Sequence, residues 1–136
     1  MANISFGFLP VTVDDVDEAL AFYRDAIGLT VLNDVEGNGW RWLSLGTPSQ
    51  PGVALVLSAP GAGRSEEDAE ALHRLVAKGA GPGPLVLFSD DLDATFEQVR
   101  ASGAEVLQEP MDQPWGPRDA AFRDPAGNLV RINQAG

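Results

Sequence analysis

The stretch FRDPAGNLVRIN, residues 122–133, joins a turn to a strand and decides how the rest of the chain is interpreted. Residues 124–128, DPAGN, have the Asp, Pro, Gly and Asn composition of a tight turn between two strands. Residues 129–133 then alternate, with Val130 on one face and Arg131 in the middle of the other. An arginine at the centre of a strand face, close to the end of a compact domain, raises the question of what that face contacts.

The chain contains an internal repeat. Residues 13–32, VDDVDEALAFYRDAIGLTVL, align with residues 89–108, SDDLDATFEQVRASGAEVLQ. Residues 51–57, PGVALVL, align with residues 126–132, AGNLVRI, when the offset between the two copies is reduced by one residue. A repeat this short indicates two half-domains that complete one core. We therefore expect a single domain over residues 1–136.

Each half is predicted to follow the order βαβββ. In each, a short Asp cluster follows the first strand and supplies the helix N-cap, which is Asp14 or Asp15 in the first half and Asp90 or Asp91 in the second. A glycine follows each helix, where a left-handed residue is favoured. The predicted strands are 4–13, 29–34, 39–45 and 53–58 in the first half, and 84–89, 104–109, 118–123 and 129–133 in the second.

The chain is divided into module 1 (about residues 3–58), a helical linker (59–83) and module 2 (84–134). The linker has Gly- and Pro-rich ends around a short helix that Ser65 caps. With three helices and eight strands, the fold class is α+β.

Composition excludes several functions. Nine basic and 20 acidic residues give a formal net charge of -11, which argues against nucleic acid or an anionic membrane as a partner. No apolar run is long enough to span a bilayer, no export signal is visible, and there is no cysteine. We expect a cytoplasmic protein.

The ordered motifs AFY…GL of residues 21–29 and DPAGN of residues 124–128, within a tandem βαβββ pattern, resemble the vicinal oxygen chelate superfamily. That superfamily includes glyoxalase I, extradiol dioxygenases and the bleomycin resistance proteins. The resemblance covers nearly the whole chain. It implies that the eight strands curl into a cup with helices outside, that the ligand lies inside the cup, and that the protein is a homodimer.

Enzymes of this superfamily hold a divalent metal in the cup through His, Glu or Gln side chains on the first and last strands of each module. Carried onto this sequence, the four positions are Phe8, Val56, Pro84 and Arg131. Three of these side chains have no ligand atom, and arginine is permanently cationic. The resemblance therefore implies a metal-free member, and we expect no cofactor and no metal site.

Strand alternation then places a set of mainly aromatic side chains inside the cup, with Arg131 and Arg118 as polar anchors. The segment Trp115-Gly116-Pro117-Arg118-Asp119 is similar to the WG-x-R-acid pattern of bleomycin resistance proteins. Alternatively, Trp40 and Trp42 cover a dimer interface, or Arg131 is a solvated strand residue. The full set of candidate ligand-binding residues is Phe6, Phe8, Trp40, Trp42, Val56, Phe88, Trp115, Arg118 and Arg131.

Aromatic walls with few polar groups are typical of a site for an organic ligand. The sequence thus favours a metal-free protein that binds or sequesters an aromatic organic molecule or antibiotic, neutral or anionic because of Arg131. The alternatives are a glyoxalase- or dioxygenase-like enzyme with a non-standard or absent metal site, and a module that binds another protein through its sheet. No catalytic residue is assigned.

Overall fold

The computed structural model describes residues 2–136 and confirms the α+β architecture of two βαβββ modules. Within those residues, no helix is long and apolar enough to cross a membrane. The helical segments are α1 (Val16–Leu20), which continues as a π-helix (Ala21–Ala26), α2 (Glu66–Ala77) and α3 (Leu92–Ala101). The strands are β1 (Phe8–Thr12), β2 (Thr30–Gly37), β3 (Trp40–Gly46), β4 (Ala54–Ser58), β5 (Leu85–Ser89), β6 (Glu105–Asp112), β7 (Arg118–Arg123) and β8 (Leu129–Gln134).

The eight strands form two sheets of four rather than one continuous sheet. The strand order is β1-β4-β3-β2 in sheet 1 and β5-β8-β7-β6 in sheet 2. In each sheet the first and last strands of the module pair in parallel, and the other neighbours are antiparallel. The repeat seen in the sequence is therefore a repeat of topology.

The helix starts agree with the predicted capping residues. The Asp15 carboxylate accepts hydrogen bonds from the backbone N–H groups of Asp17 and Glu18, and the Asp91 carboxylate accepts one from Ala94. Ser65 caps α2 in the same way. These caps satisfy N–H groups that have no partner inside the helix.

The first strand is shorter than predicted. It was expected over residues 4–13, but β1 begins at Phe8, where pairing with Ala54 of β4 starts. Phe6 lies before the strand and is 81% exposed. Aromatic residues are common in strands, which favoured a strand prediction for Phe6. However, β4 begins at Ala54 and does not extend far enough to pair with Phe6.

One hydrophobic core joins the helices to one face of each sheet. Leu43 and Leu45 of β3 are fully buried, as are Phe122 of β7 and Val130 of β8. The helices contribute Phe22, Tyr23, Phe96 and Val99 to the same cluster. Since side chains alternate along a strand, the other face of each sheet is turned away from the helices.

The DPAGN turn connects the two modules. The Asp124 Oδ1 atom accepts hydrogen bonds from three backbone N–H groups of its own turn, at 2.8 to 3.0 Å. Its Oδ2 atom accepts one at 2.6 Å from the hydroxyl of Tyr23, which lies in the first helix of module 1. Asn128 of the same turn donates to the Thr12 carbonyl oxygen of β1 at 2.8 Å. The turn that identifies the fold in the sequence is thus also a contact between modules.

Gly127 fits this turn for two reasons. Its φ of 116° lies in the region that L-residues rarely adopt. A side chain at this position would also overlap the backbone carbonyl of Val76 in the linker helix. The turn therefore contacts the linker as well as both modules.

The buried Tyr23 hydroxyl predicts a marked alkaline effect. Burial raises the pKa of Tyr23 well above its ordinary value of 10.0, and the adjacent Asp124 carboxylate raises it further. Above pH 10 the unfolded chain releases the phenolic proton while the folded chain keeps it. The free energy of unfolding should therefore be unaffected by this group below pH 10 and fall by about 1.4 kcal/mol per pH unit above it.

Tyr23 is the only tyrosine in the chain, so tyrosinate absorbance reports on this residue alone. We expect the absorbance to appear together with loss of circular dichroism, as one transition. The Tyr23→Phe variant should lose that part of the alkaline slope. Tyrosinate forming near pH 10 in a protein that is still folded would contradict the burial.

Candidate ligand-binding site

Two sheet faces are turned away from the helices, and they differ in chemistry. The face of sheet 1 carries Phe8, Trp40, Trp42 and Val56, and we call these four residues the aromatic face. The face of sheet 2 carries Gln108, Asp119, Arg131 and Asn133, and we call these four the polar face. The exposed Val86 and Phe88 of β5 lie beside them on the same side of the sheet. The strand register assigns both faces: Val56 is opposite Ser44, two residues from Trp42, and Asn133 is opposite Asp119.

The aromatic face exposes large rings over a buried floor. The Phe8 and Trp42 rings pack edge to face with their centroids 5.2 Å apart. Phe8, Trp40 and Trp42 are 59%, 55% and 39% exposed, whereas Val56 beneath them is 5% exposed. Exposed indole and phenyl faces beside one another are the arrangement that planar aromatic ligands need for stacking.

A groove of about 740 Å³ lies at an edge of sheet 1, where Trp40, Trp42 and Val56 of the aromatic face meet residues of the helix side. The helix-side residues in its lining are Val16, Glu36, Arg41 and Leu57. β3 and β4 pair only through residues 43–45 and 55–57. The groove opens beyond this paired region, where β3 and the chain that follows β4 separate. Trp40 and Trp42 line the groove together with Ala59, Gly61 and Ala62 of the linker. Its volume is large enough for a small organic molecule.

Trp40 is held close to the β2–β3 hairpin. A Cβ atom built on Gly37 would lie 2.5 Å from the indole ring of Trp40, so the ring packs against the bare backbone of the residue opposite it. Glycine is what permits this close approach. Gly37 in the hairpin thus sets the position of the Trp40 indole, one of the two indoles of the groove.

Arg41 also lines the groove but is fully engaged with carboxylates. Its Nε and Nη2 atoms donate to the two carboxylate oxygens of Asp34 at 2.9 and 2.8 Å, and Nη1 donates to Asp17 at 3.3 Å. The hydrogen bonds from Arg41 hold the pKa of Asp34 below its ordinary value. Arg41 therefore joins β2, β3 and α1 at the end of the groove.

On the polar face, Arg131 lies in a hydrogen-bond network around a buried carboxylate. Asp119 is 6% exposed and accepts hydrogen bonds from the side-chain amides of Gln108 and Gln113 at 2.7 and 2.8 Å. Arg131 Nη1 lies 3.4 Å from Asp119 Oδ2 and 3.3 Å from Gln108 Oε1. The arginine of the opening stretch is thus paired with Asp119, and its charge is balanced within the sheet.

The structure brings together four of the nine candidate residues, namely the aromatic face. Phe88 is 71% exposed on β5 and lines a different cavity, of about 670 Å³, with Thr95. Trp115 is 78% exposed in the turn between β6 and β7. Arg131 lies on sheet 2, and Phe6 precedes β1.

Arg118 differs from its expected position. It was grouped with Arg131, but it lies on the helix side of β7 and pairs with Asp93 of α3 at 3.0 Å and with Asp112 at 3.6 Å. The reason is strand alternation: Arg118 has the same parity as the buried Phe122. Arg118 and Arg131 thus lie on opposite faces of sheet 2.

Asp119 and Gln108 were not predicted as partners of Arg131. Asp119 was noted only as part of a motif, because its pairing depends on the register between β7 and β8. The sequence signal for this pair is the presence of opposite charges on adjacent strands. Whether Arg131 and Asp119 lie on the same face can be seen only once the register is known.

The metal positions implied by the family offer no suitable donors. Phe8, Val56 and Pro84 have hydrocarbon side chains, and Arg131 is a cation bound to Asp119. Across residues 2–136, no three His, Cys, Asp or Glu side chains come close enough to hold a metal ion. The residues at these positions do not fit a divalent metal.

Known proteins with similar sequences and structures identify the family of this chain. The sequence is 33% identical to that of UcmS2, and the crystal structure of UcmS2 superimposes on this chain with a TM-score of 0.88. The match covers 98% of this chain and 100% of UcmS2. TnmS3, an antibiotic binding protein from Streptomyces sp. CB03234, is 29% identical over 100% of this chain and 99% of its own, with a TM-score of 0.75. A probable lactoylglutathione lyase of Vibrio cholerae is 27% identical over 98% of this chain and 93% of its own. Residues 5–132 match the Glyoxalase/Bleomycin resistance protein/Dioxygenase superfamily, and the chain belongs to that superfamily.

Proposed function

We propose that this protein binds a planar aromatic small molecule in the groove of the aromatic face, without a metal and without making or breaking covalent bonds. The observation that carries this proposal is the pair of exposed tryptophans beside Phe8, lining a groove of about 740 Å³. Burial of a flat ring against them would supply affinity through apolar contact and stacking.

Two further observations support the proposal. The positions at which enzymes of this superfamily hold a metal carry Phe8, Val56, Pro84 and Arg131, none of which is a suitable ligand for a divalent cation. In addition, TnmS3, which is similar over the full length of this chain, is described as an antibiotic binding protein. Binding and sequestration of an organic molecule are consistent with both.

Tryptophan fluorescence tests the proposal directly. We expect quinoline and acridine, uncharged at pH 8, to quench the protein with a saturable, one-to-one isotherm. The Trp115→Phe variant removes the exposed tryptophan outside the groove, so the remaining signal comes from Trp40 and Trp42. Quenching that stays linear in probe concentration, with no saturation, would count against binding in the groove.

A second candidate function is a reaction of the glyoxalase type, which the similarity to a probable lactoylglutathione lyase favours. Elemental analysis of protein purified without chelator, combined with an assay for lactoylglutathione formation, separates the two. Stoichiometric metal together with turnover supports the enzyme. The homodimer expected from the family resemblance stays a prediction, which light scattering would check.

A further inference from the structure

The charges around the groove of the aromatic face indicate the sign of its ligand. Glu36 lines the groove and makes no ion pair or side-chain hydrogen bond among residues 2–136. Arg41, the guanidinium in the lining, is already bound by both oxygens of Asp34 and by Asp17. Glu36 is opposite Arg41 in the strand register, on the other side of sheet 1 from the two tryptophans, but it forms no ion pair with Arg41. The lining of the groove therefore combines a carboxylate without an ion pair, two tryptophans and one cation that is already neutralised.

The linker side of the groove does not reverse this balance. Arg64 donates to the backbone carbonyl oxygens of Pro60 and Ala62 at 3.2 and 3.3 Å, and it is not among the residues that line the groove. Even when Arg64 is counted, three carboxylates (Glu36, Asp34 and Asp17) surround two guanidiniums. The net charge of -11 on the whole chain adds to the negative potential.

The polar face cannot attract an anion to this groove. Arg131, the basis for expecting a neutral or anionic ligand, lies on the other sheet and is paired with Asp119, whose side chain is 9% exposed. None of the groove-lining residues belongs to sheet 2. The structure thus removes the positive charge from the site that the sequence had assigned to it.

We propose that the ligand of the groove is an organic cation, such as an aromatic ring system carrying a quaternary or protonated nitrogen. This inference rests on the proposed function, because it assigns a charge class to the ligand of that same groove. Indole faces attract cations through the negative potential above the ring, and tryptophan is the most effective aromatic side chain for this interaction. Glu36, in the lining of the same groove, would add an electrostatic contribution.

Three probes with one ring system test the charge preference by calorimetry at pH 8: N-methylquinolinium, quinoline and quinoline-6-carboxylate. We expect the cation to bind about tenfold more tightly than quinoline, and the carboxylate to bind more weakly than quinoline. The advantage of the cation should shrink at high salt, because Glu36 is exposed to solvent.

A matched pair of variants assigns the preference to the groove. Glu36→Gln should lower the ratio of cation affinity to quinoline affinity about fivefold. Glu67→Gln on α2 removes the same charge from an exposed residue that does not line the groove, and it should leave the ratio unchanged. If both variants lower the affinity ratio equally, the preference for a cation comes from the net charge of the protein, and Glu36 has no specific role.

The outcomes separate this inference from the proposed function. If quinoline binds but the cation binds no more tightly, or if the carboxylate binds most tightly, the organic-cation inference is wrong and the aromatic site stands. If none of the three probes binds, both proposals fail.

Discussion

Asp124→Ala is expected to lower the free energy of unfolding by about 4 kcal/mol, because it removes the acceptor at the centre of the contact between modules. Asp124 is 4% exposed, and its two oxygens accept hydrogen bonds from three backbone N–H groups, the Asn128 amide and the Tyr23 hydroxyl. Without the carboxylate, the Tyr23 hydroxyl and the backbone N–H groups of Ala126 and Asn128 lose their acceptor, whereas the Asn128 amide keeps its bond to the Thr12 carbonyl oxygen. Urea denaturation followed by circular dichroism measures the loss.

Asp112→Ala is a matched control, since it removes an aspartate of the same module whose side chain is 85% exposed. We expect it to change the free energy of unfolding by less than about 0.5 kcal/mol. If Asp124→Ala does not fold, Asp124→Asn keeps one acceptor oxygen and should give a smaller, measurable loss. Equal effects of the Asp124 and Asp112 substitutions would show that the turn does not hold the modules together.

A double-mutant cycle identifies the part of this effect that crosses between modules. Tyr23→Phe and Asp124→Asn should be less than additive, because both remove the same 2.6 Å hydrogen bond. Additivity would mean that Asp124 stabilises only its own turn.

Trp42→Ala is expected to lower the affinity for quinoline about 30-fold, which corresponds to about 2 kcal/mol of lost stacking and burial. Trp42 packs edge to face on Phe8 and lines the groove. Its removal therefore takes away part of the groove lining and the packing partner of Phe8. Calorimetry with quinoline gives the affinity. Because Trp42 is 39% exposed, the variant should remain folded, which circular dichroism checks.

Trp115→Ala is the matched comparison for Trp42→Ala, since it removes the same side chain from an exposed turn of module 2. Trp115 was predicted to be a ligand-binding residue, whereas the groove is lined from sheet 1, the start of α1 and the linker. We expect a change in affinity of less than about threefold for Trp115→Ala. A loss equal to that of Trp42→Ala would place the ligand between the two modules instead of in the groove.

Much of the fold followed from local rules that a single sequence contains. Asp15, Ser65 and Asp91 cap their helices because a short acceptor side chain reaches the free N–H groups of the first turn. Gly28 and Gly103 follow helices at φ values of 96° and 92°, which other residues rarely adopt. The alternation that buried Leu43 and Leu45 also turned Trp40 and Trp42 to the opposite face. Each of these features depends on residues close together in the chain.

The first helix departs from a regular α-helix. The βαβββ plan predicted an α-helix here, but residues 21–26 adopt the wider π geometry, in which the Ile27 N–H donates to the Phe22 carbonyl oxygen at 2.9 Å. This places both Phe22 and Tyr23 in the core, 4% and 0% exposed. Tyr23 also bonds to Asp124 of the other module, a contact between residues far apart in the chain that local periodicity does not express.

By itself, the sequence determined the duplicated βαβββ plan, the superfamily and the unsuitability of Phe8, Val56, Pro84 and Arg131 as metal ligands, because these depend on residue type and local spacing. Tertiary structure alone decided that Arg131 is paired with Asp119, that Arg118 lies on the helix side, and that the tryptophans share a groove with Glu36. Those relations depend on strand register and on which faces meet, and they join residues far apart in the chain. The arginine of FRDPAGNLVRIN is therefore part of a balanced ion pair, and the strongest candidate for ligand contact lies on the other sheet.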